Sequence, residues 1–153
     1  MEDVFVAGFP FGKSLSSSVK ITKGIISSLT GLGDNFSNIQ IDAAIQPGNS
    51  GGPIFDEKGN VVAVAVAKLD LKKVIEHFGT IAENTNFGIK ANIVSNLLAS
   101  NNITPGAPNT KTVSKSKLGK TVSNATYYLS CWMTMAQIQK MQSQKVIFSD
   151  LTQ

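Results

Sequence analysis

Through its first 104 positions the chain alternates short apolar runs with clusters of glycine, proline, asparagine and aspartate, the signature of strands joined by turns. Val4-Phe5-Val6-Ala7 reads as a strand ending at the Gly8-Phe9-Pro10 turn. Val19 to Leu29 is rich in β-branched residues but interrupted by Gly24, which predicts a long strand with a bulge or bend, as a barrel corner needs. Gly31 to Asn35 is loop. Ile39, Ile41 and Ala43 then alternate with Gln40 and Asp42, predicting a half-exposed strand with Asp42 as a structural hydrogen-bonding residue. Ile54-Phe55, the Asp56-Glu57-Lys58-Gly59-Asn60 turn and the nearly continuous Val61 to Val66 run predict strand, turn, strand. Asp70 to Gly79 carries Leu71, Val74, Ile75 and Phe78 at roughly helical spacing, a helix-like insertion before the next strand, Thr85 to Ala91. Asn92 is placed to cap a helix with Ile93, Val94, Leu97 and Leu98 on one face, ending near Asn101-Asn102.

Past Pro105-Gly106-Ala107-Pro108 the pattern changes. Three parts are expected: a barrel-like unit over 1–104, a flexible Lys/Ser/Thr linker over 105–124, and a small strand-helix-strand tail over 125–153. Ala125 to Trp132 and Val146 to Phe148 supply the tail's strands, and Thr134 caps its helix. Tyr127, Tyr128, Trp132, Met133, Met135 and Met141 are expected to pack on the barrel or between subunits, the alternative being a tail that docks where a partner belongs. Cys131 reads as a small core residue.

Charge sharpens this division. Residues 1–104 hold 8 lysines and 9 acids, a net −1, whereas residues 105–153 hold 6 lysines and 1 acid, a net +5. All 14 basic side chains are lysine, so there is no guanidinium fork for bidentate phosphate or guanine recognition, and specific nucleic-acid binding is not expected. At 42% hydrophobic residues the class is globular, and no run is long enough to cross a bilayer. One cysteine makes no internal disulfide, and no basic-then-apolar leader opens the chain.

The residues that suggest chemistry lie in Gln46-Pro47-Gly48-Asn49-Ser50-Gly51-Gly52-Pro53. Flanking glycines let backbone N–H groups and a serine hydroxyl converge on one carbonyl, which is what an acyl-transfer nucleophile and its oxyanion hole require. Gly48-x-Ser50-x-Gly52 formally matches the nucleophile elbow of α/β-hydrolases, but a strand pattern follows the serine where that elbow demands a helix.

In order and spacing, Pro47 to Pro53 resembles the active-site loop of trypsin-like serine peptidases of the HtrA/Deg type. Gly8-Phe9-Pro10-Phe11-Gly12, Ile21 to Leu29, Ile41 to Ile45 and Asn86-Phe87-Gly88-Ile89 resemble further segments of that family. The resemblance implies an all-β fold: the second six-stranded antiparallel Greek-key barrel of the chymotrypsin-like fold, with a C-terminal helix and a small β-α-β tail. It implies Ser50 as nucleophile and an oxyanion hole over Gly48, Asn49 and Ser50, built from the N–H groups of Gly48 and Ser50. Ala44, Ile45, Phe87, Gly88 and Ile89 would line the pocket for the side chain before the scissile bond, selecting small or medium apolar groups. The Thr85 to Ala91 backbone would pair with an extended substrate. Asn49 stands where digestive relatives carry an aspartate that pairs with a new N-terminus, so activation by N-terminal cleavage is not expected.

The same resemblance places a histidine and an aspartate before the serine. Here the one histidine, His77, follows it and reads as an ordinary surface or helix-end residue rather than a surrogate base. The chain is therefore expected to be the C-terminal half of a serine endopeptidase, inactive alone, with no cofactor or metal. Peptide or unfolded protein would be its substrate, a homo-oligomer its expected assembly, and a bacterial cell envelope or periplasm a compartment consistent with the family. The alternative is a pseudopeptidase that captures peptides or oligomerises.

Overall fold

The computed structural model describes residues 2–12, 17–68, 84–130 and 132–143. Six strands, β1 (Asp3–Gly8), β2 (Lys20–Ser28), β3 (Asn38–Ile41), β4 (Pro53–Phe55), β5 (Val61–Lys68) and β6 (Asn86–Lys90), close a barrel in the order β1-β2-β3-β6-β5-β4. All pairings are antiparallel, and β1 shuts the barrel against β4 through Phe5 opposite Phe55 and Val6 opposite Ile54.

Alternation along the strands explains which side chains fill the interior. Val4, Val6, Ile39, Ile41, Ile54, Ala63 and Ala65 form one buried cluster with Ala43 and Ile45 from the segment after β3. The inner girth is narrow, so small residues face large ones: a Cβ added at Gly88 would overlap the Ile54 side chain. Phe5, Ala7 and Phe55 point the other way, into a second cluster on the outside of the barrel, where the Phe5 and Phe55 rings stack at 5.5 Å. That second face is why β1 is apolar at consecutive positions.

The bend expected near Gly24 is realised as a close crossing. A side chain at Gly24 would overlap Asp42 and the Ala43 backbone, and the Ile25 N–H donates to Asp42 Oδ1 at 2.6 Å, so Asp42 does serve structure. The register of β2 against β3 shifts between Ile26 and Ser28. In the β4–β5 turn, Asp56 Oδ1 accepts from the N–H groups of Lys58 and Asn60, which fixes the turn.

Among the described residues three helices follow: α1 (Ala91–Ser100), α2 (Lys115–Ala125) and α3 (Met135–Ser143). Helix α1 begins two residues earlier than expected, with Lys90 rather than Asn92 at the cap position and no side-chain cap. Its end at Asn101 is as expected.

The greatest departure is in the presumed linker. Residues 115–125 are helical, capped by Ser114, whose side chain accepts from the Lys117 N–H, and they bury Leu118 and Val122 against Phe5, Ala7 and Phe55. Upstream, Asn109 and Asn60 exchange hydrogen bonds, Asn60 Nδ2 to Asn109 O at 2.9 Å and Asn109 N to Asn60 Oδ1 at 2.7 Å, while the Val113 N–H donates to Glu57 O. Residues 109–128 thus strap across the outside of the barrel. The strand expected from Ala125 is absent among the described residues, because Thr126 closes the helix with its hydroxyl on Val122 O and residues 126–130 pair with no strand. Of the aromatic and methionine cluster, Tyr128 sets one side of its ring on Phe9 while staying 42% exposed, and Tyr127, Trp132, Met133 and Met135 are exposed as well. The insertion at 70–79 with His77, Cys131 and the final strand at 146–148 lie outside the described residues. Among the described residues no helix is long and apolar enough to cross a membrane, and no three metal-ligating side chains cluster.

Candidate active site

The serine loop is the turn between the segment after β3 and strand β4, and it is fastened at both ends by backbone hydrogen bonds. On its leading side, Phe11 N–H donates to Pro47 O at 2.6 Å and Phe9 N–H to Gly48 O at 3.3 Å, so the turn after β1 holds the two residues that open the loop. On its trailing side, Gly51 N–H donates to Ala65 O at 2.7 Å and Ala65 N–H to Gly52 O at 2.9 Å, which ties the loop to β5. Gly48 adopts φ 98°, a conformation that costs other residues, and a side chain there would overlap Phe9 O.

Within this frame the Ser50 side chain is exposed, and its hydroxyl donates to Val66 O at 3.4 Å. Among the described residues, the Gly48 and Ser50 N–H groups donate to no backbone carbonyl. Asn49, also expected at the oxyanion hole, differs: its N–H is spent on Gln46 O at 3.0 Å. Its side chain is turned inward at 3% exposure, with Oδ1 lacking a hydrogen-bond partner among the described residues. The loop therefore leaves two N–H groups, not three, for a bound oxygen.

The five residues expected to line the pocket divide. Ala44 is exposed and Ile89 half-buried. Phe87 is buried. Ile45 belongs to the core cluster, and the open face of Gly88 looks onto Ile54 and Ala63, so neither offers a side chain to a ligand. Asn86, not singled out from the sequence, joins the two stretches: its Nδ2 donates to Ala43 O at 2.9 Å.

The strand expected to receive an extended peptide also needs correction. β6 is paired along its length, with β3 on one side and β5 on the other, and so has no edge to give. The nearest open edge belongs to β5. Its pairing with β4 ends at Pro53 opposite Val64, the serine loop occupies Ala65, and beyond it, among the described residues, the stretch Val66 to Lys68 pairs with β6 alone. Strand closure is a long-range property, which is why the resemblance, carried over position by position, pointed to Thr85 to Ala91 instead.

Comparison with known proteins agrees with this geometry. Residues 1–64 match the family described as trypsin-like peptidase domain. Similarity is 42% identity over 76 residues to the serine protease Do-like HtrA of Bacillus subtilis, covering 44% of this chain and 16% of that protein. It is 34% over 102 residues to the chloroplastic Protease Do-like 2 of Arabidopsis thaliana, covering 63% and 15%. The barrel is a trypsin-like peptidase barrel of the HtrA type. Similarity at 37% identity over 131 residues links it to the uncharacterized protein y4bJ of Sinorhizobium fredii, covering 85% of this chain and 21% of that one. An alignment that long extends past this HtrA-type barrel and takes in α2. The chain spans between 15% and 21% of the length of these three relatives.

Proposed function

We propose that this chain supplies the nucleophile side of a serine endopeptidase, and that the proton-accepting imidazole comes from polypeptide outside these 153 residues. One observation carries the reading: an exposed serine hydroxyl, resting on Val66 O, shares its loop with the Gly48 and Ser50 N–H groups, and among the described residues neither N–H has a backbone acceptor and the Val66 to Lys68 edge has no second strand. In that arrangement Ser50 Oγ attacks the scissile carbonyl, and the N–H groups of Gly48 and Ser50 hold the oxygen as it gains charge. The Val66 to Lys68 edge aligns the peptide by strand addition. Ala44 and Ile89, the apolar pocket positions left accessible, suit a small or medium apolar side chain before the bond that is cut. A serine hydroxyl attacks poorly unless a base removes its proton. Alone, the chain retains at most the share of catalysis that binding and the oxyanion hole provide, roughly 10³ to 10⁴ over water.

The open β5 edge also favours a second reading, in which the barrel captures extended peptides without cutting them. A fluorophosphonate probe separates the two. Labelling of Ser50 is expected when a barrel bearing histidine and aspartate is fused upstream, and is expected to vanish in Ser50→Ala. No labelling in the fusion would leave only peptide capture. Exposed Leu129, Trp132 and Met135 further support self-association, expected as a mass above the monomer in light scattering at micromolar concentration.

A further inference from the structure

The strap ends beside the serine loop. Two residues beyond the hydroxyl bond that closes α2, Tyr128 sets its ring edge-to-face on Phe9, with centroids 5.6 Å apart and planes at 83°. The same ring borders Gly12, where an added Cβ would sit 3.3 Å from Tyr128 Oη. Phe9 and Gly12 form the turn that grips the serine loop: Gly12 N–H donates to Phe9 O at 2.8 Å, Phe11 N–H to Pro47 O and Phe9 N–H to Gly48 O. Tyr128 thus presses on the turn that holds Gly48.

We propose that Tyr128 is a positioning residue: delivered by the docked strap, its ring braces the Phe9–Gly12 turn and so fixes the Gly48 peptide whose N–H receives the substrate oxygen. The proposal rests on the role given above to Gly48. Leu118 and Val122 anchor α2, and the Thr126 hydroxyl on Val122 O ends it two residues before Tyr128, which delivers one side of a partly exposed ring to the turn. A small movement of that turn displaces the carbonyls of Pro47 and Gly48 together, because both accept from it. The strap thus adds to the nucleophile loop a support from outside the barrel.

Amide hydrogen exchange on the whole 153-residue chain tests this without needing turnover. Tyr128→Ala is expected to speed exchange of the Phe11 and Asn49 amides roughly tenfold, a local opening, while β3 and β6 amides keep their protection. Tyr128→Phe keeps the ring contact and is expected to restore wild-type rates, which loss of a general packing contribution would not distinguish. Phe9→Leu removes the other ring and is expected to reproduce the Tyr128→Ala pattern, which serves if Tyr128→Ala does not fold. Unchanged exchange at Phe11 and Asn49 in a folded variant of either residue overturns the proposal, as does equal acceleration throughout the barrel. Failure of Ser50 to label in the fused protein, with the exchange pattern as expected, removes the peptidase reading and leaves the bracing intact.

Discussion

The barrel and the strap are built on different terms. Each strand of the barrel is hydrogen-bonded to two neighbours, so any one residue is supported from several directions. The strap meets the barrel at separate footholds: the Asn109–Asn60 exchange, the Val113 N–H on Glu57 O, the Leu118 and Val122 pair, and the Tyr128 ring. Removing one support should therefore loosen the whole barrel in the first region and only a segment in the second.

The largest expected effect comes from the barrel interior. Ile54→Ala empties a fully buried position between β1 and β5 and should cost about 2–5 kcal/mol, seen as a lower urea midpoint by circular dichroism and by strap probes alike. Loss of strap signals ahead of barrel signals would contradict the shared collapse. Next is Leu118→Ala, at about 2 kcal/mol because one side of this cluster is a helix able to shift. Exchange should then rise across residues 109–128 while β3 and β6 stay protected, and uniform loss would mean that strap and barrel unfold as one.

The smallest effect is electrostatic. Asp3 hydrogen-bonds Lys23 across β1 and β2 and raises the lysine above its ordinary 10.5, although the pair is exposed to solvent. A lysine raised on folding stabilises the folded state fully below its unfolded value and loses that contribution as pH climbs through the raised one. The melting temperature of Lys23→Met should thus fall slightly below wild type at neutral pH and converge with it once the pH has climbed past the lysine's raised value. A gap that widens there would refute the assignment.

The same contrast governs how much could be read from residues alone. Barrel strands announce themselves through local alternation, as in Ile39 to Ala43, or through short apolar runs such as Val61 to Val66. The serine loop is legible because glycine and serine at fixed offsets serve only a few chemistries. Helix α2 left almost no trace, since Leu118 and Val122 are one apolar pair among lysine, serine, glycine and threonine. Ser114 four positions before Leu118 was its one local clue. The open edge at Val66 to Lys68 is equally silent, because it depends on where β4 stops and the serine loop takes over. Ile45 reads as a pocket wall by position, yet the way the chain crosses Gly24 turns it inward.

The amides joining Asn109 to Asn60 have a consequence for the whole appendage. They are uncharged, as are the leucine, valine and tyrosine contacts that complete the attachment, while Lys111, Lys115, Lys117 and Lys120 face water. Docking should consequently be indifferent to ionic strength, and the charges of Lys111, Lys115, Lys117 and Lys120 can meet other molecules without loosening the chain's own grip.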